Sequence, residues 1–247
     1  MKAETRWQLM LAGILLLSSA GMYFLHWVLF RDAHHIFLYM VGDIAFLFVD
    51  VLLVMFVLHR LLVVREKRVL RKKIFMVMGT FFSEVGTELL RLVSACDGNR
   101  ERQAGILAVS PAWKQKEYAS ARRGIPVGTT LDARQADLAA LRSLLLARRQ
   151  FLVGLLDNPN LLEHESFTEA LWAVFHLAEE LSLRESFDDL PDPDWKHLSI
   201  DIQRVHDRLT PEWLHYMEHL AGEYPYLFSL AVRTNPFLPQ KSVVIRD

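Results

Sequence analysis

Two apolar runs limit what this chain can become. Residues 7–30, WQLMLAGILLLSSAGMYFLHWVLF, carry no formally charged side chain across 24 positions, and residues 39–62, YMVGDIAFLFVDVLLVMFVLHRLL, are nearly as apolar. About 20 such residues cross the hydrocarbon core of a bilayer. The reading is an all-α protein with two transmembrane helices, over about 7–30 and 36–58, joined as a hairpin through RDAHH. A cleavable signal peptide is the rival for the first run, since a short basic start precedes it and SSAG offers small residues for cleavage. The run continues well past that point. Trp7, Tyr23 and Trp27 fall where an interfacial aromatic belt would put them.

The second run holds two acids, Asp43 and Asp50, one heptad apart and therefore on one stripe of a helix, separated by about 10.5 Å along its axis. A shared proton or metal needs a shorter span. An ionisable group in lipid costs about 2.5–3.5 kcal/mol on insertion scales, so both acids are expected to face protein or water. On the first helix Ser19, Tyr23 and His26 share a face, and an antiparallel hairpin would set Asp43 opposite Tyr23 and Asp50 near Leu16 to Ser19. Two roles are open to this polar stripe. It can hold helices together through hydrogen bonds, within the hairpin or between subunits, or it can line a proton or cation path. A third possibility is that Asp43 lies among hydrated headgroups and has no role.

Orientation follows from the bases. Arg60, Arg65, Lys67, Arg68, Arg71, Lys72 and Lys73 follow the second run and Lys2 and Arg6 precede the first, whereas the connection holds Arg31 alone. This places both termini in the cytoplasm, with the basic cluster against the lipid of the inner membrane. Residues 1–130 hold 17 bases and 10 acids, and residues 131–247 hold 11 and 19, so the halves carry +7 and −8. An acidic distal half argues against nucleic acid as its partner, because phosphate binding needs a positive face. The single cysteine, Cys96, excludes an intramolecular disulfide and a thiolate metal site.

Beyond the hairpin, assigned to 1–64, residues 65–97 read as a membrane-proximal basic and amphipathic helix. In IFMVMGTFFSEVGTELLRLV, Thr80, Ser83, Glu84, Thr87, Glu88 and Arg91 form one polar face, and Met78, Phe82, Val85, Leu89 and Leu92 belong to the other. That apolar face must bury against the distal domain, another subunit or the bilayer surface. Gly79 and Gly86 would permit close helix contact, and Gly98 is a plausible C-terminal cap. Residues 98–130 read as an irregular basic linker, with GIPVGTT lacking the lysine of a phosphate-binding loop. Residues 131–247 read as an acidic helical bundle with an extended C-terminal tail. Its expected elements are a helix capped by Asp132 and stopped at Asn158-Pro159, a helix over 165–184, an acidic loop, a helix over 195–209, and a last helix opened by Thr210-Pro211 and divided at Pro225.

One string carries chemistry. HYMEH sets His215 and His219 one turn apart with Glu218 between them, the H-x-x-E-H pattern in which two imidazoles bind zinc and the carboxylate acts as base. A third ligand is needed, and downstream only Glu223 and Asp247 offer carboxylates. No cofactor is called for elsewhere.

MGTFFSEVGTELL and EYPYLFSLAVRTNPF resemble segments of a group of functionally uncharacterised bacterial and archaeal membrane proteins that share a two-helix hairpin and a cytoplasmic helical domain. The resemblance covers about residues 36–95 and 164–237. It implies an architecture and no catalytic residue. The leading expectation is a non-enzymatic, membrane-anchored interaction or sensing protein whose partners are the bilayer and a second copy of itself or another protein. The alternatives are a subunit of an oligomeric channel or proton-coupled transporter using Asp43 and Asp50, and a metal-dependent hydrolase centred on His215 and His219.

Overall fold

A computed structural model describes residues 2–126, 131–239 and 243. The elements are helical, and the chain divides into two compact units, Met1–Glu66 and Lys67–Asp247. GIPVGTT lies in part, and the tail after residue 239 almost wholly, outside the described residues.

In the first unit, α1 (Lys2–Phe30) is followed by α2 (Ala33–Phe81), whose bounds run on into the second unit. The break is local chemistry. Arg31 takes φ 50°, and its N–H donates to the Trp27 carbonyl at 2.9 Å. Asp32 Oδ1 then accepts from the N–H groups of His34 (3.0 Å) and His35 (3.2 Å), an N-terminal cap that starts α2. Both helices are long and apolar enough to cross a membrane, and none of either apolar window is buried. The expected close pairing of the two spans does not form. The helices meet near the turn, where the His26 and His35 rings stack at 6.1 Å, but they do not pack along their lengths. Gly13, Gly21 and Gly42, the small residues that could form a seam, have nothing near the position of an added Cβ.

The second unit has one continuous core, and residues 74–94 are part of it. Ile74, Met78 and Phe81 at the end of α2, Phe82 and Val85 in a π-helical turn (Phe82–Gly86), and Leu89, Leu90 and Val93 in α3 (Thr87–Ser94) are all buried. Of the three possible partners for this amphipathic stretch, the distal bundle is the one it meets. Thr87 closes the widened turn, its hydroxyl and its N–H both donating to the Phe82 carbonyl. The helix ends at Ser94, and Gly98 is not in the left-handed region, so it is no cap.

The segment expected as an irregular linker folds instead. It holds α4 (Arg100–Ile106) and α5 (Gln115–Gly124), which bury Gln103, Tyr118 and Ala121, and Leu107 at the end of α4 is buried as well. Weak periodicity hid them because each element is too short to repeat it. The expected helix after residue 131 is broken too. Asp132 caps a 3-10 turn (Ala133–Gln135), Asp137 caps α6 (Leu138–Ala147), and α7 (Arg149–Leu156) is a separate element. Asn158 ends that region as expected, capping a 3-10 turn at Pro159–Glu163. The centre of the unit is the pair α8 (Glu165–Leu183) and α9 (Asp192–Glu223), joined by the acidic loop. Against expectation, α9 runs through Pro211. Leu198, Ile202, Val205 and Leu209 before it, and Trp213, Leu214, Met217 and Leu220 after it, form one buried row. Packing of that row outweighs the proline's preference for a helix start. Pro225 does divide the final helix, opening α10 (Pro225–Arg233).

Candidate functional site

The residues singled out from the sequence are not brought together. Asp43 and Asp50 lie exposed on α2, Ser19 and Tyr23 exposed on α1, and His26 is half-buried near the turn. Among the described residues neither acid has a hydrogen-bond or ion-pair partner. Arg60, Arg65, Lys67, Arg68, Arg71, Lys72 and Lys73 are all exposed on α2. Cys96 is buried, its thiol donating to the Val93 carbonyl at 3.0 Å, and burial pushes its pKa up to about 11.

The H-x-x-E-H string is engaged in packing. The His219 ring stacks on Phe75 at 3.7 Å between centroids and meets Tyr224 edge-on, and Glu218 pairs with Arg122 of α5. Burial holds both His215 and His219 below the ordinary imidazole pKa. No third ligand joins them among the described residues.

A different four-residue cluster does converge. His176 and Glu180 are one turn apart on α8, and His197 and Asp201 are one turn apart on α9; the two pairs face each other across the helix contact. His176 Nε2 lies 3.9 Å from Glu180 Oε1 and 3.5 Å from Asp201 Oδ2, and His197 Nε2 lies 3.5 Å from Glu180 Oε2 and 3.3 Å from Asp201 Oδ2. One ligand atom from each residue sits within 4.8 Å of the others. The His176 and His197 side chains are 45% and 48% exposed, Glu180 26% and Asp201 2%, so the cluster has a wet face and a dry floor.

Arginines fix both carboxylates from outside. Arg204 Nη1 donates to Asp201 Oδ1 at 2.5 Å, and Asp201 Oδ2, pointing into the cluster, is buried without a hydrogen-bond donor. Arg184 donates to Glu180 Oε2 at 2.7 Å and to both oxygens of Asp194 at 2.7 and 2.9 Å. The guanidinium holds the carboxyl groups of Glu180 and Asp194 below the usual range. Sequence reasoning missed this cluster, although H-x-x-x-E in α8 and H-x-x-x-D in α9 were its available signal.

Comparison with known proteins matches nearly the whole length. Residues 2–62 match the family described as "MJ1433, N-terminal helical domain", and residues 70–233 match "Uncharacterized protein MJ1433, C-terminal helical domain". The chain is 40% identical over 245 residues to uncharacterized protein MJ1433 of Methanocaldococcus jannaschii, covering 99% of this chain and 98% of that protein. No solved structure matches.

Proposed function

The chain belongs to the MJ1433 family, and on that premise we propose that it is a membrane-anchored, non-enzymatic interaction or sensing protein that presents its helical distal unit to the cytoplasm. The supporting observation is the contrast between the two units. One leaves Leu16, Leu17, Phe24, Phe48 and Leu52 each more than half exposed; the other buries its own core from Ile74 to Phe237. Exposed apolar surface on that scale is untenable in water, and lipid is the solvent that removes the cost. The basic residues after the second run favour a cytoplasmic distal unit.

The partner surface has to be sought away from residues 74–94, whose apolar side is already used. Exposed apolar residues of the distal unit such as Trp172, Leu183 and Tyr226 are the alternatives. In native membranes the full chain is expected to stay in the pellet after alkaline carbonate washing, and protease is expected to reach the distal unit in inverted vesicles and not in right-side-out ones. Release by carbonate overturns the anchor, and the opposite protease pattern overturns the orientation.

One observation favours the oligomeric reading as a second. Among the described residues Asp43 and Asp50 have no partner, and in lipid an unpaired acid is satisfied most directly by another copy.

A further inference from the structure

We propose that His176, Glu180, His197 and Asp201 form a binding site for a divalent transition-metal ion of the zinc type, a site that goes beyond the reading of the protein as a tethered module. The distances carry the assignment. A tetrahedral ion with bonds of about 2.0–2.2 Å holds its ligand atoms roughly 3.3–3.6 Å apart. Arg184 holds Glu180 Oε2, which leaves Oε1 as the ligand atom; the separations of 3.3 and 3.5 Å from the two imidazoles to Asp201 Oδ2 fall at that spacing, and that of 3.9 Å from His176 to Glu180 Oε1 is slightly longer. Two imidazoles and two carboxylates are also the donor set of borderline divalent metals, whereas calcium and magnesium prefer oxygen alone.

The second argument is the orphaned oxygen. Asp201 is 2% exposed, and its Oδ2 has no donor although it is aimed between the two imidazoles. Its only polar neighbours inside the cluster are the two imidazole nitrogens at 3.3 and 3.5 Å, neither of them in hydrogen-bond geometry, and a cation held between the three removes the cost of an oxygen buried without a hydrogen bond. Arg204 and Arg184 occupy the other oxygens, the arrangement by which outer partners fix the direction of a ligating carboxylate. Two carboxylates balance the ion's charge. Four protein ligands leave no coordination position for a reacting water, so the ion is a clamp between α8 and α9 and no hydrolytic centre. Because both histidines are half-exposed, the ion exchanges with solvent, and occupancy follows the free-metal level around the distal unit.

The test uses the full chain in mild detergent, with a histidine-free tag, stripped with EDTA and dialysed free of chelator. Zinc chloride is titrated calorimetrically, with magnesium chloride as the comparison. One zinc per chain is expected, with no saturable magnesium binding. At free zinc 100-fold above Kd the melting temperature should rise by roughly 5–10 °C. His176→Gln and His197→Gln, whose side chains are too exposed to be needed for folding, are each expected to weaken zinc at least tenfold and to remove most of the thermal shift. Asp201→Asn should abolish binding, with circular dichroism of the metal-free variant reporting whether it folds. His215→Gln is expected to bind zinc like the parent. Absence of saturable zinc binding overturns the site, and so does unchanged binding in the His176→Gln/His197→Gln double variant; either result leaves these residues as histidine–carboxylate ion pairs.

Discussion

At the scale of single residues, Gly86 has the least freedom. A Cβ there would stand 2.5 Å from the Phe81 ring and 2.6 Å from the Phe82 ring, and both rings are wholly buried. Gly86→Ala therefore overpacks the core, and a loss of about 1–3 kcal/mol is expected in denaturant unfolding of the detergent-solubilised protein. Gly79 is less constrained: the same atom would touch Tyr216 at 3.4 Å, an ordinary contact, on a ring that stacks against Phe82. The expectation that these glycines permit close contact between helices is not met at either position: Gly79 has room for a Cβ against Tyr216, and Gly86 is crowded by its own neighbours Phe81 and Phe82. His219 sets a pH response. Its folded pKa lies below the unfolded value of about 6.5, so below that pH the unfolded chain takes up more protons and stability falls as pH drops through the folded value. His219→Gln should flatten part of the decline in melting temperature below about pH 6.5.

At the scale of elements, the stretch at 74–94 decides the architecture of the distal unit. Phe81→Ala removes a fully buried ring that meets Phe167 of α8 edge-on, and a cost of about 3–5 kcal/mol is expected. Met76→Ala, on the exposed side of the same helix, should change stability by less than about 0.5 kcal/mol. Equal effects would mean that the stretch does not pack into the bundle. The amphipathic pattern of this stretch was legible because polar and apolar positions alternate at helical spacing; what covers it was not, because periodicity names a face and no partner. The same limit hid the continuation of α9 through Pro211. A proline signals a helix start locally, and only the buried row on α8's side shows that packing carries the helix across it. The cluster at His176 and His197 failed for a third reason. Each histidine and its carboxylate were readable as neighbours on one helix, but the meeting of the two pairs depends on the register between α8 and α9, which is a property of the packed core.

At the scale of the whole molecule, the two units differ in how they treat apolar surface. The first exposes nearly every apolar side chain described in it, and the second buries a continuous core while leaving a few such as Trp172, Leu183 and Tyr226 outside. The long apolar runs mark the first unit in the sequence; of the two settings open to Asp43 and Asp50, the hairpin and a contact between subunits, the first supplies them no partner among the described residues. If a second copy satisfies Asp50 instead, Asp50→Asn should lower the detergent-corrected mass measured by light scattering toward that of one 28.6 kDa chain. A ring of four or more subunits that survives the substitution would favour a conduction path, and a monomeric parent protein would remove the oligomeric reading. The burial of Cys96 has a separate consequence. With its thiol enclosed and held protonated well above neutral pH, the chain is nearly silent toward maleimides and other alkylating reagents. A cysteine introduced at any exposed position becomes the only fast-reacting thiol, so spin labels, fluorophores or heavy atoms can be attached one site at a time without altering the native residue.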